Sequence, residues 1–164
     1  MFTLFDLLDS YEIPEAERKR MFRRVNQFAQ TENGEWLNSI NWQAVNLKWA
    51  CRMNQKNGVM GCLFATYKTI YLMPEDVYMS GKNSGWPELI VPTLIHELRH
   101  KWQYERNKLL YILCCVPVVR EWTIEKDARK ITEIAQDFCD KLDAAEASAE
   151  YEFKQAEKKK RGKK

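Results

Sequence analysis

The sequence predicts an α+β domain: N-terminal helices, a three-stranded antiparallel meander, a helix carrying His-Glu-x-x-His, and a long C-terminal helix. Three observations carry that reading. Apolar residues follow a helical period over about residues 87–107, alternate with a strand period within residues 45–73, and return to a helical period from about residue 118. At 164 residues the chain is read as one domain, residues 1–157, followed by a basic disordered tail, Lys158–Lys164.

Taken in order, Phe2–Ser10 reads as a short helix with Phe2, Phe5 and Leu8 inward. Pro14-Glu15-Ala16-Glu17 opens a second helix, acidic in its first turn and basic after it, a charge order that suits the helix dipole. Met21, Phe22, Val25 and Phe28 supply its apolar side, and Arg18, Lys19, Arg20, Arg23 and Arg24 read as its solvated face. Asn33-Gly34 breaks it. Val45, Leu47, Trp49, Cys51 and Met53 then alternate with Asn46, Lys48, Ala50 and Arg52, the mark of a half-buried strand. Asn57-Gly58 is a hairpin signal, so Val59–Thr66 and Thr69–Met73 are expected to continue the meander. Ser80–Gly85 reads as a loop.

The next segment holds both histidines of the chain, in Ile95-His96-Glu97-Leu98-Arg99-His100. At about 100° per residue, Val91, Leu94, Ile95, Leu98 and Trp102 share one face, and Thr93, His96, His100, Gln103 and Asn107 share the opposite one. Histidines four apart on a helix can grip one cation, and Glu97 lies where it can reach a water on that cation. The apolar stretch Leu109–Val119 leads to the long helix, whose polarity all round beyond Asp143 predicts a projecting or frayed end.

Two histidines do not complete a catalytic zinc site, which takes three protein ligands and leaves a position for water. With no further histidine, the third ligand is expected to be a carboxylate, Glu125 or Glu121, on the side of the last helix that carries Ala128, Thr132 and Cys139. Glu121 has a separate use near the helix start, and Glu125 stands three residues before the small Ala128. Asp127 points away from Glu125, and a bond from it to a histidine or to Arg99 would support the ligands from behind.

The bulk numbers narrow the setting. Five cysteines without a C-x-x-C spacing predict reduced thiols and a cytoplasmic location. Met1–Asp6 lacks the pattern of a signal peptide, and no apolar run has the length of a membrane span. Six positive charges lie in Lys158–Lys164, so the net charge of +3 becomes −3 without them and the body is slightly acidic.

The pair Ile95–His100 and Glu125-Lys126-Asp127-Ala128 resembles the small single-domain zincins of the gluzincin type, nearest in layout to the ImmA/IrrE-like and SprT-like metallopeptidases, including short phage and bacterial forms. The likeness covers about Val45 to Ile131, and its specific part is the histidine motif. Arg129 stands where many ImmA/IrrE-like chains carry an acidic or amide residue, and Arg99 where zincins often have glycine. The resemblance implies peptide hydrolysis with Zn²⁺ held by His96, His100 and Glu125, and Glu97 as general base. It also implies that the edge of Val59–Met73 pairs with extended substrate. Tyr104, on the metal side of its helix, is the candidate donor to the scissile carbonyl. The expected partner is a protein or peptide. Two alternatives stand beside this: a SprT-like protease of DNA-bound proteins that uses Lys158–Lys164 to hold nucleic acid, and an inactive zincin-fold interaction module.

Overall fold

The computed structural model describes residues 10–50, 61–64, 68–72, 87–113 and 121–161. Strand β1 (Ser10–Glu12) leads into helix α1 (Glu15–Ala29), and two short 3₁₀ turns follow at Glu35–Ser39 and Trp42–Ala44. Strands β2 (Asn46–Ala50), β3 (Gly61–Phe64) and β4 (Thr69–Leu72) precede helix α2 (Pro87–Arg106) and the short helix α3 (Lys108–Leu113). A π-helical turn, Glu121–Glu125, opens the last helix, α4 (Lys126–Arg161).

The α+β class holds, but the sheet is not a meander. Its order is β1-β2-β4-β3. β2 pairs with β4 in parallel, and β3 is antiparallel to β4 at the edge. The pairing expected between the first two predicted strands is therefore not made, since β4 lies between β2 and β3; residues 51–60, including the Asn57-Gly58 signal, lie outside the described residues. A fourth strand joins on the other side, where Ser10, Tyr11 and Glu12 oppose Ala50, Trp49 and Lys48. Ser10 is thus extended, whereas the sequence predicts that it closes a helix; residues 2–9 lie outside the described residues. The residues of β1 pair with β2 instead, and across that pair the Glu12 carboxylate meets the Lys48 ammonium at 3.0 Å.

Register explains which sheet face is covered. Leu47 opposes Ile70 and Trp49 opposes Leu72, and all four are buried. The alternate residues Lys48 and Tyr71 stay half-exposed. The buried face joins Met21, Val25 and Phe28 of α1 and Leu94, Ile95 and Leu98 of α2 in one core. α2 also packs along α4, its most extensive neighbour. That central position changes the amphipathic reading of α2. Its apolar face is buried as expected, yet Thr93, Glu97, His100 and Lys101 are buried too, because α4 covers the polar side.

α1 ends at Ala29, ahead of the Asn33-Gly34 break. Gly34 packs so tightly on its last turn that an added Cβ would stand 2.0 Å from the Phe28 carbonyl oxygen. Its basic face is not wholly solvated. Arg24 is buried and pairs with Asp143 and, at 2.9 Å, with Glu146 of α4. This clamp holds α4 past the end of its apolar stripe. The helix then runs to Arg161, with mostly exposed side chains up to Lys158, so the first part of the basic run continues the helix; residues 162–164 lie outside the described residues. Its Glu150–Lys154 pair and terminal basic residues favour helix at that end. Where the sequence predicts an apolar crossing, residues 108–113 are helical; residues 114–119 and the loop 80–85 lie outside the described residues. Among the described residues, no helix is long and apolar enough to cross a membrane.

Candidate metal centre

α2 is long and sits between sheet and α4, so the two histidines one turn apart are held on a rigid rod facing α4. From the other side, α4 presents small residues. Ala128 and Ala135 are fully buried and Cys139 nearly so, which lets the helix axes approach. Burial also pushes the Cys139 thiol up to about 11. Glu125 enters from the π turn just before this small-residue face. Such widened turns are frequent at functional sites, since they re-aim one residue without breaking the helix.

His96, His100 and Glu125 converge as a group able to hold a metal ion. The two Nε2 atoms are 3.1 Å apart, and Glu125 Oε2 stands 3.4 Å from that of His96 and 3.5 Å from that of His100. Zinc bonds of 2.0–2.1 Å in a tetrahedron place neighbouring ligand atoms about 3.3 Å apart. The three distances bracket that edge. The ligands are largely buried: the His100, Glu125 and His96 side chains are 4%, 11% and 18% exposed.

Hydrogen bonds determine which nitrogen each histidine offers. The Thr132 hydroxyl donates to the Ala128 carbonyl at 2.8 Å, so its oxygen accepts from His96 Nδ1 at 2.9 Å. Gln103 Oε1 stands 2.9 Å from His100 Nδ1. Both Nδ1 atoms then carry the proton and both Nε2 lone pairs point at the centre. Three acceptor atoms facing one another need a cation between them. Burial opposes the charge on His100, but the Glu125 hydrogen bond and the negative charges of Glu97 and Glu125 outweigh it and raise its pKa.

Glu97 is 6% exposed and close enough for His100 to feel its charge, on the same helix as the ligands but not among them. Asp127 meets Arg99 through two bonds, from Nε at 2.7 Å and from Nη2 at 3.1 Å, one of the partners expected for it. Burial works to raise the Asp127 carboxyl, yet the hydrogen bonds from Arg99 and Gln103 and the Arg99 charge bring it below its ordinary value. Glu121 lies four residues before Glu125 at the start of the π turn. Tyr104 packs on Tyr111 at 5.8 Å between ring centres, and Tyr111 on His100 at 6.4 Å. Tyr111 is therefore a further tyrosine in contact with a ligand ring, and the apolar run around it gives no sign of that. Thr132 and Gln103 are legible only as residues on the right helix faces. Comparison with protein-family models, with curated proteins and with solved structures gave no match.

Proposed function

We propose that this chain is a zinc-dependent metallopeptidase of the small zincin type. The observation that carries the proposal is the convergence of His96 Nε2, His100 Nε2 and Glu125 Oε2 at tetrahedral-edge spacing, with Glu97 buried beside them. Two imidazoles and one carboxylate make the donor set of a catalytic zinc site, three protein ligands with a fourth position left over. When bound, zinc supplies Lewis acidity, which lowers the pKa of water and polarises a carbonyl oxygen.

The chain's own residues supply the rest. Glu97 accepts the proton of the attacking water and delivers it to the amine that leaves, so its carboxylate is regenerated in each cycle. The burial of Glu97 and His100 keeps bulk water from competing for that proton. β3 is the edge strand next to β4 among the described residues and also packs against α2, so an extended peptide that adds to its outer edge would run beside the ligand helix.

The test is Glu97→Gln in the full chain. Peptide cleavage should fall by several orders of magnitude while zinc stays bound, because Glu97 acts on water and is not a ligand. Cleavage at the wild-type rate by this variant would refute the assigned base, and no cleavage by the wild type across broad peptide libraries would refute the peptidase reading.

A further inference from the structure

A histidine ligand depends on the group that holds its other ring nitrogen. For His96 that group is a threonine on the facing helix. For His100 it is Gln103, an amide, which can present either its oxygen or its nitrogen. A reversed amide would turn its N–H toward His100 Nδ1. The imidazole would then carry its proton on Nε2, aimed at the cation, and would not be a ligand.

The surroundings of Gln103 exclude that reversal. Its Nε2 donates to the Ile124 carbonyl at 3.1 Å and to Asp127 Oδ2 at 2.8 Å, so both amide hydrogens are used and Oε1 must face His100. Asp127 is held in turn by the two bonds from Arg99. The Arg99 guanidinium carbon lies 3.9 Å from the ring centre of Trp102 and 4.9 Å from that of Trp36, with the two indoles edge to face. Trp36, in the 3₁₀ turn after α1, thus fixes a guanidinium that fixes a carboxylate that fixes the amide.

We propose that Gln103 is the positioning residue of His100, and that the Arg99–Asp127 pair, stacked against Trp36 and Trp102, locks its amide so that His100 presents an unprotonated Nε2 to the cation. The proposal rests on the metal-site reading of His96, His100 and Glu125. It gives Arg99 and Asp127 a joint role, in which the Asp127 carboxylate beside Gln103 accepts from its amide and Arg99 holds that carboxylate in place. A carboxylate at position 103 could not do the same, because it would face Asp127 with like charge and lose both donors.

The chain has two histidines, so the long-range ¹H–¹⁵N spectrum of the full-length, chelator-treated protein contains two imidazoles. His96→Ala assigns them. Above the titration range of both rings, the wild type should carry its ring protons on Nδ1. Gln103→Leu should remove that preference at His100 alone and weaken zinc binding by about 10–100-fold. Asp127→Asn keeps Gln103 but takes away the anion; it should move His100 partly to the Nε2–H form and weaken zinc in the same direction. If Gln103→Leu does not fold, Asp127→Asn decides alone. His100 remaining an Nδ1–H tautomer in the folded variants would overturn the proposal. Failure of the wild type to bind zinc would instead overturn the metal reading, and the tautomers of the metal-free chain would still decide the role of Gln103.

Discussion

Replacing Thr132 by valine removes one oxygen and nearly keeps the side-chain shape. That oxygen holds two bonds, one to the Ala128 carbonyl at 2.8 Å and one from His96 Nδ1 at 2.9 Å. The first is a bond to the residue four back in the same helix, whose carbonyl keeps its helical N–H donor, so its loss costs little. The second leaves a ring N–H without its acceptor on a side chain only 18% exposed, a cost of about 1–3 kcal/mol. His96 can avoid that cost by moving its proton to Nε2, the nitrogen 3.1 Å from His100 Nε2, but it then blocks the cation. By either route zinc affinity should fall about 10–100-fold, or roughly 1.4–2.7 kcal/mol. Competition against a chromogenic chelator reads that affinity, and far-ultraviolet circular dichroism checks the fold. Thr132→Ser keeps the hydroxyl and should bind close to wild type. Equal affinity in the valine variant and a zinc-binding wild type would refute the account of His96.

Two further predictions concern the protein without metal. Gly34→Ala should destabilise by about 1–3 kcal/mol, since its Cβ meets backbone atoms rather than a flexible side chain; an unchanged urea midpoint would contradict the packing described for the end of α1. The folded-state pKa of His100 lies above the ordinary 6.5, so the folded state holds this proton more tightly than the unfolded state does. The resulting stability is fully present below the ordinary value and is lost as pH rises through the raised one. Urea midpoints of chelator-treated protein should fall across that window, and the fall should be smaller in His100→Gln; equal pH dependence in the two would show that His100 is not its source.

How much is legible in the sequence follows from what each pattern encodes. Alternation over Val45–Trp49 and the apolar spacing of Leu94, Ile95 and Leu98 report which residues are buried, and β2 and α2 stand where those patterns place them. Alternation does not report which strand is the neighbour. The turn signal at Asn57-Gly58 favours a hairpin, yet Ile70 and Leu72 of β4 complete the core face beside Leu47 and Trp49. Spacing puts His96 and His100 on one side of a helix, and Ala128 marks the close approach that brings Glu125 to them. The supporting groups are harder to read. Gln103 and Thr132 are ordinary polar residues until the facing helix is in place, and the tryptophans that flank Arg99 come from segments more than sixty residues apart. Arg24 reads as solvated for a similar reason: its partners Asp143 and Glu146 lie more than a hundred residues away.

The central claim is that one cation sits among His96, His100 and Glu125, and metal content measures it directly. Protein purified without a histidine tag, loaded with zinc and freed of excess, should hold about one zinc per chain by native mass spectrometry. Glu121→Ala should hold the same, because Glu125 already brings a carboxylate oxygen to 3.4 Å and 3.5 Å from the two histidine Nε2 atoms. His96→Ala, His100→Ala and Glu125→Ala should each lose stoichiometric zinc while remaining folded. A wild type without zinc, or a Glu125→Ala protein that keeps it while Glu121→Ala loses it, would contradict the account.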